Sequence, residues 1–194
     1  MSISLVAGLG NPGREYAETR HNLGWVVLDA FAAKHELTWQ AHPQFAAEVA
    51  RWGWRGHGTF YFVKPLTFMN DSGTAIGALA RFYKLAPPSV TVLHDDLNLD
   101  LGRVKVSVSG SAGGHNGVAS VLEHLGDAFV RFRLGIGPKQ PPQMDLKDFV
   151  LGRFTSEQQI QVTQLIPHYL SGLELLLTRG SETAMNQLNR RDQP

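Results

Sequence analysis

Short apolar runs alternate along the chain with stretches whose apolar residues recur every third or fourth position, and this alternation gives the order of elements. Residues 2–9 (SISLVAGL) are nearly all apolar and end in glycines, the pattern of a central strand covered on both faces. From residue 23 to residue 37, Leu23, Val27, Ala30 or Phe31, and Ala33 fall at helical spacing, so an amphipathic helix begins near Asn22. Residues 45–49 can be read as a strand and 52–58 as a turn; 60–63 form a clearer strand, halted by Pro65. Ser72 is placed to cap a helix carrying Ile76, Leu79, Ala80 and Tyr83, which Pro87 and Pro88 stop. A buried-type strand follows at 90–93, with His94, Asp95 and Asp96 directly after its C-terminal end.

Residues 103–109 (RVKVSVS) alternate polar and apolar, as a half-exposed strand does. Gly113 and Gly114 lead into a helix at 118–125 with Asn116 at its start, and 132–136 form a further strand. A Pro- and Gln-rich loop at 138–143 is expected to be mobile. The helical pattern at 156–178 contains Pro167, where a kink is expected, and the polar tail after Gly180 is expected to fray. Alternating strands and helices put the chain in the α/β class: a single domain with a mixed, mainly parallel twisted sheet flanked by helices. Sites in such folds gather where strands end and helices begin. Four polar islands sit at such places, at 8–22, 65–73, 93–102 and 110–117.

Composition acts mainly by exclusion. A chain of 194 residues with 43% hydrophobic residues suffices for one core. Its net charge of +1 gives no bulk argument for a polyanionic partner, so a nucleic-acid site must be a local patch. The absence of cysteine excludes disulfides, thiolate zinc sites and a cysteine nucleophile. No basic region precedes the first strand and no run approaches about 18 apolar residues, so neither signal peptide nor membrane span is expected. A cytoplasmic monomer is the default.

Gly8, Gly10 and Gly13 match the G-x-G-x-x-G dinucleotide fingerprint, but Pro12 interrupts the turn, residues 16–21 delay the helix and Asp29 falls inside the helical pattern, so that reading is rejected. Asp96, Asn98 and Asp100 imitate a calcium loop; Leu101 and Ser107 stand where its glycine and bidentate glutamate belong. With no H-E-x-x-H either, no metal and no cofactor are expected. His21 is the catalytic candidate, because an imidazole with a pKa of about 6.5 takes up a proton near neutrality without special tuning. Paired with Asp95 it makes a base and its orienter. A capping histidine and a turn aspartate would leave the same trace, and Asn11, Asn70 and Asn116 suit turns as well as substrate contacts.

The blocks GLGNPGREYAETRHNLGW (8–25), PLTFMNDSG (65–73), HDDLNLDLG (94–102) and GGHNG (113–117), in this order, closely resemble the bacterial-type peptidyl-tRNA hydrolase family. The likeness runs from Leu5 to about Leu177. It implies an enzyme that cleaves the ester between a peptide and the 3′ ribose of tRNA, freeing tRNA for translation, with no metal or covalent nucleophile. By the same resemblance His21 is the general base, Asp95 its orienter, and Asn70 and Asn11 the amide donors to water and oxyanion. It further implies that Asn116 contacts the peptide backbone, that Met69 lines the peptide groove and that Tyr16 packs beside the base. Lys105 and Arg133 are implied to hold the 5′ phosphate. The chain departs from the family at Asn98, where an acid is usual, at Ser107, where a second basic residue is usual, and at Ser109 and Ser111, where glycines are. These departures bear on the tRNA clamp more than on the chemistry. The rival reading is a non-catalytic RNA-binding relative on the same scaffold, which would need no such set of polar residues.

Overall fold

Seven strands form one mixed sheet in the computed structural model, which describes residues 2–190. They are β1 (Ile3–Gly8), β2 (Gln40–His42), β3 (Ala47–Trp54), β4 (Gly58–Pro65), β5 (Val90–Asp100), β6 (Val104–Ser107) and β7 (Val130–Gly137), in spatial order β2-β3-β4-β1-β5-β7-β6. The central four, β4, β1, β5 and β7, run parallel, and the outer pairs are antiparallel. Helices α1 (Leu23–Lys34) and α5 (Ser156–Leu188) cover one face, while α2 (Ser72–Phe82) and α3 (Asn116–Leu125) cover the other. The unbroken apolar run of β1 follows from this layering: Val6 enters the core under α1 and α5, Leu5 and Ala7 the core under α2 and α3. A strand buried on both faces has no side to leave polar.

The glycines of the first turn serve packing. A Cβ on Gly24 would stand 2.7 Å from the Leu93 carbonyl oxygen, and one on Gly8 would stand 2.7 Å from that of Gly24. The start of α1 therefore rests on the ends of β1 and β5, which brings the one-turn 3-10 helix Arg20–Asn22 against β5. No helix follows the turn directly, in keeping with the rejected dinucleotide reading.

Several boundaries differ from the sequence reading. β3 runs to Trp54, because Trp52 pairs with Phe60 across the hairpin, and only residues 55–57 turn. β5 continues past Leu93 to Asp100, because β7 keeps pairing with it, so His94, Asp95 and Asp96 lie within the strand. Ser72 does not cap α2; it is the first helical residue and its hydroxyl donates to the Met69 carbonyl at 2.9 Å. A short helix not expected from the sequence, α4 (Leu146–Leu151), is capped by the Asp145 carboxylate, which accepts from the Lys147 N–H. In α5 the helical dihedrals are interrupted at Gly180 (φ 79), while Pro167 lies inside the helix without such an interruption. The tail expected to fray is helical to Leu188, with Ala184 and Leu188 buried. Its Asn189 amide pairs with the N–H (2.8 Å) and C=O (2.9 Å) of Val106, covering the edge strand β6. Residues 191–194 of that tail lie outside the described residues. No helix among the described residues is long and apolar enough to cross a membrane.

Candidate active site

A cleft of about 970 Å³ opens where the loops after β1 and β4 meet β5, β6, β7, α3 and α4. All the residues nominated from the sequence line it: Asn11, Tyr16, His21, Met69, Asn70, Asp95, Lys105, Asn116 and Arg133.

Its buried end is built on Asp95. His21 Nδ1 lies 2.9 Å from Asp95 Oδ1, and His115 Nε2 lies 3.0 Å from the same oxygen. Burial opposes ionisation of Asp95, but His115 and then His21, through charge and hydrogen bonding, outweigh it and hold the carboxyl far below the usual range. The cluster is therefore anchored on a fixed negative charge. His94, inside β5, donates from Nδ1 to the Asp95 carbonyl at 2.8 Å; burial, aided by neighbouring His115, pushes its imidazolium down to about 3. It is a neutral wall of the site.

The tautomers follow from the partners. His115 is the N-cap of α3, and its Nδ1 accepts from the N–H groups of Gly117 (3.1 Å) and Val118 (3.2 Å). A neutral imidazole carries one proton, so that of His115 is on Nε2 and is donated to Asp95. His21 likewise donates from Nδ1, which leaves its Nε2 bare. Ligand atoms of His21, Asp95 and His115, one from each, lie within 4.8 Å of one another, a spacing that suits a metal ion. Coordination through His115 Nε2 would require a proton on Nδ1, pointing at two backbone N–H groups. This donor set fits a hydrogen-bond relay better than a metal.

Asn11 is fixed from two sides. The Asn22 amide bonds both its backbone N–H (2.9 Å) and its C=O (3.0 Å), and its own Oδ1 accepts the Met69 N–H at 2.7 Å. Its Nδ2 is the side-chain donor left over. Asn70 and Asn116 are exposed at the starts of their turns, with no side-chain hydrogen bond among the described residues. Met69 is buried under the first turn of α3, where a Cβ on Gly117 would meet its sulfur at 2.5 Å. It is both core and cleft wall. Tyr16 packs edge-on against Phe68, with ring centroids 6.4 Å apart.

The other end is basic. Lys105 and Arg133 are direct cross-strand neighbours, as are Ser107 and Arg131. Arg133 holds Asp96 Oδ2 at 2.6 Å. Buried Arg131 donates to the Gly110 carbonyl and lies over Phe129. Of these three cations, Lys105 alone has no charged or hydrogen-bonded partner among the described residues.

Against known proteins, a family model described as peptidyl-tRNA hydrolase matches residues 5–194. The chain belongs to the peptidyl-tRNA hydrolase family. The peptidyl-tRNA hydrolase of Anaeromyxobacter sp. (strain K) is 44% identical over 190 residues, 97% of each chain. That of Mycobacterium tuberculosis (strain ATCC 25618 / H37Rv) is 44% identical over 186 residues, 95% of this chain and 96% of the relative. The crystal structure of the Acinetobacter baumannii peptidyl-tRNA hydrolase, 37% identical, superposes with a TM-score of 0.87 over 96% of this chain and 94% of that one. The protein is thus a peptidyl-tRNA hydrolase-family enzyme, with peptidyl-tRNA as the substrate its family implies. Within this peptidyl-tRNA hydrolase site, the sequence pattern does not single out His115, His94, Asn22 or Arg131. For His115 the signal is its place inside the GGHNG block, directly beside Asn116.

Proposed function

We propose that the enzyme hydrolyses the ester by direct attack of water, with His21 as general base. The 2.9 Å contact from His21 Nδ1 to Asp95 carries this reading, because it leaves Nε2 free to take a proton from water while Asp95 steadies the resulting imidazolium. The water oxygen bonds to the carbonyl carbon, and the carbonyl oxygen takes up negative charge. The amide donors of Asn11 and Asn70 are suited to stabilise it, since neutral amides donate without the repulsion a carboxylate would bring. As the tetrahedral intermediate collapses, the bond to the ribose 3′ oxygen breaks and the imidazolium returns its proton to that oxygen.

Asn116, exposed and unpaired, takes the peptide backbone, while Met69 and Tyr16 line its path. Lys105 and Arg133 hold the 5′ phosphate, with Lys105, which is not matched by Asp96, contributing the larger share. The working unit is one chain, since every nominated residue comes from it, and its compartment is the cytoplasm, where this substrate arises.

Hydrolysis of N-acetyl-aminoacyl-tRNA and of unblocked aminoacyl-tRNA, by wild type and His21→Ala, tests the scheme. Fast release from the blocked ester by the wild type, slowed about 10²- to 10⁴-fold in the variant, is expected. An unchanged rate in His21→Ala would remove His21 as the base.

A further inference from the structure

His115 joins two things that the reaction scheme treats separately: the carboxylate that orients the base and the helix that presents Asn116. Histidine is not among the side chains favoured at an N-cap, where serine, threonine, aspartate and asparagine accept a backbone N–H more simply. Here the imidazole accepts two, from Gly117 and Val118, and its opposite nitrogen reaches Asp95 Oδ1 at 3.0 Å. A shorter capping residue would satisfy α3 equally well, so the cap alone does not explain a ring at this position.

We propose that His115 is a positioning residue that locks the tautomer of His21 through their shared acceptor, Asp95 Oδ1. The backbone N–H groups of α3 fix the His115 proton on Nε2, so one donor to Oδ1 is set by the helix itself. That contact holds the carboxylate from the α3 side while His21 Nδ1 bonds it from the other. The His21 ring is then restrained to the orientation with Nδ1 protonated and Nε2 bare. The two rings lie 4.7 Å apart, centroid to centroid, so little room is left for the base to tilt. His115 touches no reacting atom in this scheme. It acts on the base through Asp95, and because it caps the helix that begins at Asn116, it sets the base in register with the substrate-facing end of α3.

The inference rests on His21 being the base, and its test separates the two. Histidine-selective ¹⁵N NMR of the wild type should show His115 with bare Nδ1 and protonated Nε2, and His21 with the reverse. His115→Asn keeps a favoured cap but replaces the ring that reaches Asp95. In that variant His21 is expected to lose its single tautomer pattern, and kcat on N-acetyl-aminoacyl-tRNA should fall about ten- to a hundredfold, with KM within about twofold. Opposite tautomers in the wild type, or an unaltered His21 pattern in the variant, would overturn the proposal whatever the activity does. A dead His21→Ala enzyme beside an unaltered pattern in His115→Asn would keep the base and discard the lock.

Discussion

The two ends of the cleft solve opposite problems. Around Asp95, three imidazoles are packed into the interior, each with a defined donor or acceptor, and Oδ1 of the carboxylate holds two of them before any substrate arrives. On β6 and β7, Lys105 and Arg133 are half-exposed, and one of the two is already matched by Asp96. The first end is preorganised and buried, so its dipoles need no rearrangement when charge develops. The second works through solvent, where salt screens each charge within about 10 Å. Chemistry is bought by burial, and tRNA capture stays adjustable by exposure.

The largest break in this contrast comes from Asp95→Asn. The amide removes the fixed negative charge and offers its own N–H to one of two rings that both donate, so the His21 tautomer is no longer set. A kcat about 10²- to 10⁴-fold lower is expected, with KM for peptidyl-tRNA little altered, in steady-state assays. A loss below about tenfold would show that the buried end is not preorganised through this carboxylate. Since Asp95 is held ionised far below neutrality, acidification of the wild type toward pH 5 should leave its charge in place.

A smaller effect is expected at the basic end. Lys105→Ala should raise KM for peptidyl-tRNA about tenfold while sparing hydrolysis of a minimal N-blocked aminoacyl ester, and should lower the slope of log K against log salt by about 1. Equal losses on both esters would make Lys105 part of the chemical end. Ser107 supplies no charge, and the Arg131 opposite it is tied to Gly110 and Phe129, so neither restores what Lys105 gives up.

What could be read in the sequence divides along the same line. Most of the strand and helix order was legible, short β2 and α4 excepted, because burial on both faces leaves an unbroken apolar run and burial on one leaves a helical period. Local motifs such as GLGNPG and TFMN marked the loops that reach the cleft. Apart from His21 with Asp95, the partners set by tertiary approach were not legible. His115 meets Asp95 from 20 residues away only because the fold brings the start of α3 to β5. Which of His94, Asp95 and Asp96 faces His21 depends on strand alternation inside β5, which the sequence reading ended at Leu93. Composition misled at the C-terminus: the polar residues after Gly180 hid the pair Ala184 and Leu188, four apart, and an asparagine that completes an edge strand.

The finest test concerns the dryness of the buried end, which should appear in stability and not in rate. His94 has its pKa lowered in the folded state, to about 3 from an ordinary value near 6.5, by burial first and by the neighbouring His115 second, against the pull of Asp95 and Asp96. Between those two values the unfolded chain binds a proton at this position and the folded chain does not. The stability that neutral His94 permits is therefore complete above pH 6.5 and is lost as pH falls toward 3. Asp95, also lowered, keeps its contribution until pH drops below about 4, so the interval from 6.5 to 5 leaves it out. Linkage limits the loss there to about 2 kcal/mol. Urea unfolding should show a fall of at most that size for the wild type and a shallower one for His94→Gln, which has no proton to gain. Equal slopes in the two proteins would mean that water reaches His94, and the contrast between a buried end and an exposed end would lose its basis.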